Sequence, residues 1–272
     1  MEFLTILLSS LFGLTSPAGT VLDVVGEQAI RDRFESVEQL QLRIDNAPTH
    51  QLLNGKVDRL RLAGRGLWLA PMEQIEEFQI RIAALEVETD AIDLDSDDFS
   101  SLDRPLQGAI RLVLTEDDLN RALQLRDASG ARSAQLHQKL RDLGISIIDA
   151  PQAEQANRYR LRQPRIDFLD GNRVRFRLEI QEKDYPDTLD IVVESGLTVA
   201  NGRRVRLVQP IVRVNQEDAP EQLLEALSEG LNRQLDLQAL ERRGILIRLL
   251  QFEITSDRLE VAAFARIDPH RQ

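Results

Sequence analysis

Residues Tyr159–Gln181 read YRLRQPRIDFLDGNRVRFRLEIQ. In the second arm Arg173, Arg175 and Arg177 alternate with Val174, Phe176, Leu178 and Ile180. Successive side chains of a strand point to opposite faces. This arm is therefore a strand with one arginine face and one aliphatic face. Asp170-Gly171 supplies the turn between the arms, since a tight hairpin loop needs residues that accept positive φ. The first arm changes parity: Tyr159 and Leu161 are odd, Ile166 and Phe168 even. The change falls at Gln163-Pro164, and proline, which cannot donate to a ladder, belongs at a bulge or an edge. "RLVQP" at Arg206–Pro210 echoes "RLRQP" at Arg160–Pro164, so the second site is read the same way. The echo is too short to define a repeat. What the aliphatic face meets, the protein's own core or something else, is the question the chain poses.

The same alternation recurs on both sides of this hairpin. Leu40, Leu42 and Ile44 mark a strand over Val37–Asp45, and Leu60 and Leu62 another beside Arg59 and Arg61. Phe78, Ile80 and Ile82 give way to Leu85 and Val87 across Ala83-Ala84, which predicts a bulge or a bend. Leu106, Ile110, Leu112 and Leu114 lead into a helix capped by Thr115, with Glu116, Asp117 and Asp118 in its first turn. That is where the helix dipole favours acids. Asn201-Gly202 makes a further tight turn, and a hairpin closes the chain around Thr255–Arg258. Helices are expected from Ser16-Pro17 to about Phe34, from Ala131 to Leu143, and as one long amphipathic run over 219–244. The sum is about ten strands and four helices, mainly antiparallel, in the α+β class. No Pro/Gly/Ser-rich linker divides the 272 residues, so residues 16–272 are read as a single domain.

Residues 1–15 are set apart. Phe3–Leu14 is apolar apart from Thr5, Ser9, Ser10 and Gly13, too short for the roughly 20 residues a spanning helix takes. Three readings fit: a cleaved signal, a helix lying in a membrane interface, and a helix docked on the protein's own surface. The interfacial helix is carried forward.

Hydrophobic residues make up 42% and charged residues 29%, as in folded soluble proteins. The net charge of −11 opposes a global attraction to nucleic acid or to an anionic membrane, and leaves room only for a local basic face such as the arginine stripe. Aromatics at 4% leave few stacking platforms for bases or sugars. The absence of cysteine excludes disulfides and thiolate metal sites. His50, His137 and His270 have no metal-ligand spacing. In "AGRGLWL" Leu69 stands where a dinucleotide loop needs its third glycine, so the glycines read as a bend in a strand. Asp93, Asp95 and Asp97 match the first positions of a calcium loop, but Asp98 and Arg104 occupy its glycine and glutamate positions. The run reads as a solvated acidic loop. No catalytic constellation, metal site or cofactor site emerges, and the expectation is a non-enzymatic protein.

"VEQLQLRIDNAP", "QLLNGKVDRLRLAGRGL", "LEVETDAIDLD" and "RPLQGAIRLVLTEDDLNRAL" together resemble the bacterial LmeA-like phospholipid-binding proteins, and in particular their cyanobacterial branch. The resemblance runs from about Leu14 to Ile267, and its most specific piece is the junction "LVLTEDDLNRAL". It implies an elongated, curved, mainly antiparallel sheet wrapped around amphipathic helices, similar to tubular lipid-binding folds. It also implies envelope association and a phospholipid ligand. No catalytic residues come with it. The N-terminus departs from the lipid-anchored members, having no lipobox cysteine.

The expected function is a membrane-peripheral phospholipid carrier or chaperone, at the cell envelope or an internal membrane, with an aliphatic groove. The alternative is a scaffold docked to a membrane by its N-terminal segment. From facing direction the lining residues are Leu161, Ile166, Phe168, Val174, Phe176 and Leu178. Burying roughly ten methylenes at about 0.8 kcal/mol each suffices to retain a lipid. Arg160, Arg162, Arg173 and Arg175 are the head-group candidates; the competing role for them is a solvated strand face.

Overall fold

The structure, a computed structural model, describes residues 31, 34–45, 56–69, 80–93, 105–125, 159–182, 188–241 and 244–268. The expected helices over 17–34 and 131–143, and the apolar segment 1–15, lie outside the described residues apart from Arg31, which is helical, and Phe34, which opens a strand instead. Ten long strands and three two-residue strands are described: β1 (Phe34–Asp45), β2 (Lys56–Val57), β3 (Arg59–Leu69), β4 (Arg81–Thr89), β5 (Ile92–Asp93), β6 (Leu106–Thr115), β7 (Tyr159–Leu169), β8 (Arg173–Glu182), β9 (Thr188–Ala200), β10 (Arg204–Val214), β11 (Glu217–Asp218), β12 (Ile245–Ile254) and β13 (Arg258–Ile267). The described helices are α1 (Glu116–Leu125), α2 (Glu221–Gln234) and α3 (Gln238–Glu241).

The strands form two open sheets and a short β2–β5 ladder. The first sheet runs β1-β3-β4-β6-β13-β12 and the second β11-β10-β9-β8-β7, with every neighbouring pair antiparallel. Within the first sheet Leu40, Leu62, Leu85, Val87 and Leu114 join Ala122 of α1 in one buried cluster. Leu240, beyond α2, joins Ile245, Ile247, Ala263, Ala265 and Ile267 in another. Each fully buried Leu, Ile or Val contributes about 1.5–3 kcal/mol.

The parity change at Ala83-Ala84 is a crease shared by neighbouring strands. Gly66 of β3, between Arg65 and Leu67 which pair with Ala84 and Ile82, has φ 57. The register stays constant across the step, so neither strand bulges against the other. The step lets even-numbered Leu62 and odd-numbered Leu67 bury in the same cluster. A Cβ on Gly66 would displace the exposed Glu38 side chain, and it is the positive φ that makes the crease favour glycine.

Both Gln-Pro sites are bulges, as their parity and proline demand. The register shifts between Arg162 and Arg165 and again between Val208 and Ile211, with Gln163 at φ 50 and Gln209 at φ 47. The two tight turns also form, with Gly171, Asn172, Asn201 and Gly202 all at positive φ.

The single long helix expected over 219–244 is instead two helices. α2 ends at Gln234, and residues 235–237 run beside β10, where Val205 N–H donates to Leu235 O (3.3 Å) and Leu237 N–H donates to Arg203 O (2.9 Å). Those groups would otherwise extend the helix; the strand edge captures them. Asp236 then caps α3 by accepting from Gln238 N–H (2.9 Å).

Candidate lipid-binding surface

α1 brings the two sheets together. Thr115 Oγ1 accepts from Asp118 N–H (3.1 Å) and donates to the Asp118 carboxylate (2.6 Å), a reciprocal cap. Asp118 is 3% exposed and meets Arg81 of β4 at 3.3 Å. The opposite side of α1 faces β7, a strand at the edge of the second sheet. There Asn120 Nδ2 donates to Ile166 O and Asn120 Oδ1 accepts from Ile166 N–H, both at 2.8 Å. Glu116 accepts from Phe168 N–H at 2.7 Å. A bare strand edge is a template for unwanted pairing; here a helix supplies the missing partner. At the far side Asn232 of α2 accepts from Leu207 N–H of β10 (3.3 Å).

Between these two sealed margins lies an aliphatic face. Ile166 stands opposite Phe176, and Phe168 opposite Val174. Phe176 is opposite Val193 and Leu178 opposite Ile191 on β9. Leu161 pairs with Ile180, so the Gln163-Pro164 bulge keeps the register of both halves of β7 on one face. The side chains of Leu161 and Arg160 lie outside the described set. The five other expected lining residues share one face of the β7–β8 hairpin. Phe168 and Leu178 are buried at 5% exposure, whereas Ile166, Val174 and Phe176 are half-buried.

The aliphatic face does not end at the hairpin. The face continues across β9 and β10 through Leu189, Ile191, Val193, Val205, Leu207, Val212 and Val214. The signal was the alternation of Leu189, Ile191 and Val193 in "TLDIVVESGLTV". Val174, Phe176, Ile191 and Val193 sit on the two central strands and remain half-buried.

The head-group candidates occupy the other face, and the described ones have partners. Arg173 and Arg175 both bind Glu194 (2.9 and 2.8 Å). Hydrogen bonds from Arg175 and Arg173 hold the Glu194 carboxyl below the usual carboxylate range. Arg162 donates to Gln181 Oε1 at 2.7 Å.

A separate hollow of about 430 Å³ lies on the charged face of the first sheet. Ala63, Ala109 and Ala262 share that face across β3, β6 and β13, and Arg43, Arg61, Glu86, Glu88 and Arg111 surround them. Its arginines are neutralised: Arg61 by Asp45 (3.2 Å), Arg111 by Glu86 (3.1 Å) and Glu260 (2.8 Å). Among the described residues no group of three His, Cys, Asp or Glu side chains is placed to hold a metal ion.

A family model described as LmeA-like phospholipid-binding matches residues 14–264. The chain belongs to the LmeA-like phospholipid-binding family. No curated protein and no solved structure matches it. The family is defined by phospholipid binding and is not a known enzyme family. Among the described residues no helix is long and apolar enough to cross a membrane.

Proposed function

We propose that this LmeA-like protein is a non-enzymatic, membrane-peripheral carrier or chaperone of phospholipid. Acyl chains lie along the aliphatic face of β7–β10, over Ile166, Val174, Phe176, Ile191 and Val193. Phe168 and Leu178 back that surface, and Leu161 extends it. The observation that carries the reading is the family membership combined with half-buried aliphatic side chains on the central strands β8 and β9. The aliphatic face of an antiparallel sheet ordinarily packs on a core, so side chains left half-buried there offer a hydrocarbon guest apolar surface to cover. The hollow on the first sheet is a poorer candidate, since paired charges rim it. Arg162, Arg173 and Arg175 serve the head group only from the margin of this face, because their strand positions direct them to its reverse; Arg160 is assigned with them.

Native mass spectrometry of the purified full chain, with organic extraction of whatever it carries, tests the reading. Bound phospholipid is expected, and uptake from added vesicles where the protein emerges empty. A protein that neither retains nor takes up phospholipid overturns it and favours the scaffold alternative.

A further inference from the structure

The reverse face of the second sheet carries a second feature. Antiparallel register sets its side chains in rows across β8, β9 and β10. One row is Arg173, Gly196 and Val208; the next is Arg175, Glu194 and Ile211; the third is Arg177, Val192 and Arg213. Glu179 and Asp190 pair beyond the third row, so acids gather at the end remote from Val208. At the opposite end, beside Val208, Arg206 precedes it by two residues and shares its face.

Three observations on these rows coincide. Val208 and Ile211 are large aliphatic side chains left 39% and 40% exposed, and they flank the Gln209-Pro210 bulge. Positive charge exceeds negative around them, since Arg173 and Arg175 share the one carboxylate of Glu194. Arg206 is exposed and has no partner among the described residues. Aliphatic side chains set among basic ones suit a lipid interface, where apolar contact and attraction to anionic lipid act together, and this patch is basic on a chain of net charge −11.

We infer that the Arg206–Val208–Ile211 margin of β10 is the face by which the protein docks on an anionic lipid surface. Val208 and Ile211 enter the interfacial layer, and Arg206, Arg173 and Arg175 meet lipid phosphates. A soluble phosphate would use the arginines but has no use for the aliphatic pair, which favours a membrane. The acidic remainder of the chain is repelled by such a surface, so the field turns this face toward it. The inference rests on the proposed lipid-carrying function and adds to it the orientation of the protein at the membrane.

Sedimentation of the full chain with vesicles of phosphatidylcholine, with and without phosphatidylglycerol, tests it. Binding to the phosphatidylglycerol vesicles that weakens with salt is expected. Arg206→Glu and Ile211→Asp should each reduce partitioning roughly tenfold, while Arg206→Lys should bind as wild type. Both altered positions are exposed, so thermal unfolding should hardly move. The inference is overturned if wild type ignores anionic vesicles at low salt, or if either variant binds as tightly as wild type. Lipid retained by a protein whose variants dock normally would sink the docking face and leave the carrier reading standing. Docking by a protein that never holds lipid would do the reverse.

Discussion

The side-chain amide of Asn120 makes with Ile166 both hydrogen bonds that a neighbouring strand would make, each at 2.8 Å, across 46 residues of sequence. Asn120 is itself 8% exposed. Asn120→Ala strands a donor and an acceptor on β7 and should lower unfolding free energy by about 2 kcal/mol in denaturant titration. It should also raise aggregation, because the edge beside the lining residues is bared.

Asp118 anchors the other side of α1. Asp118→Ala removes the buried partner of Arg81 as well as half of the cap. A loss of about 2 kcal/mol is expected by chemical denaturation, since Arg81 keeps Glu38 at 2.8 Å. Thr115→Ala, which removes the cap but leaves the ion pair, should cost only about 1 kcal/mol.

Val193 distinguishes an open face from a filled core. Val193→Trp should leave the melting temperature nearly unchanged and abolish phospholipid retention in native mass spectra, since the indole occupies the place of the acyl chain. A filled core would instead be destabilised by about 1–3 kcal/mol through overpacking. That outcome, with no lipid ever present, counts against the groove.

Acid should weaken the fold through Glu194 and Glu260, whose carboxyls are held low by hydrogen bonds from Arg175 and Arg173, and from Arg111, respectively. A carboxyl lowered in the folded state contributes stability that is complete above its unfolded value, about 4.3. That contribution is lost as pH falls through the folded value. Stability measured by denaturant should therefore decline below about pH 4, and Glu194→Gln should flatten the decline. At neutral pH the same substitution should cost about 1 kcal/mol and, by freeing two arginines, tighten binding to anionic vesicles.

Strand periodicity, the two turns and the two Gln-Pro bulges were legible in the sequence because each has a local cause: alternation, positive φ, or a missing N–H. The facing of Ile166, Phe168, Val174, Phe176 and Leu178 was legible for the same reason. The partners were not. Glu194 lies 19 residues from Arg175, and only β8–β9 register brings them together. Nothing in the sequence around Asn120 marks its role, since the strand edge it meets arrives from a distant segment. The break after Gln234 was equally hidden, because the leucine spacing continues straight through Leu235 while β10 takes the backbone groups.

One pairing governs the order in which the chain can assemble. β6 lies in the middle of its sheet only because β13 lies beside it, and Thr115 of β6 meets Arg258. A ribosome must therefore deliver the chain as far as Ile267 before that strand acquires its second neighbour along its full length. Until then its apolar ladder is held open in the nascent chain, and contacts between such remote segments form slowly. Biosynthesis of this protein should accordingly depend on factors that shield emerging chains, more than its length alone would suggest.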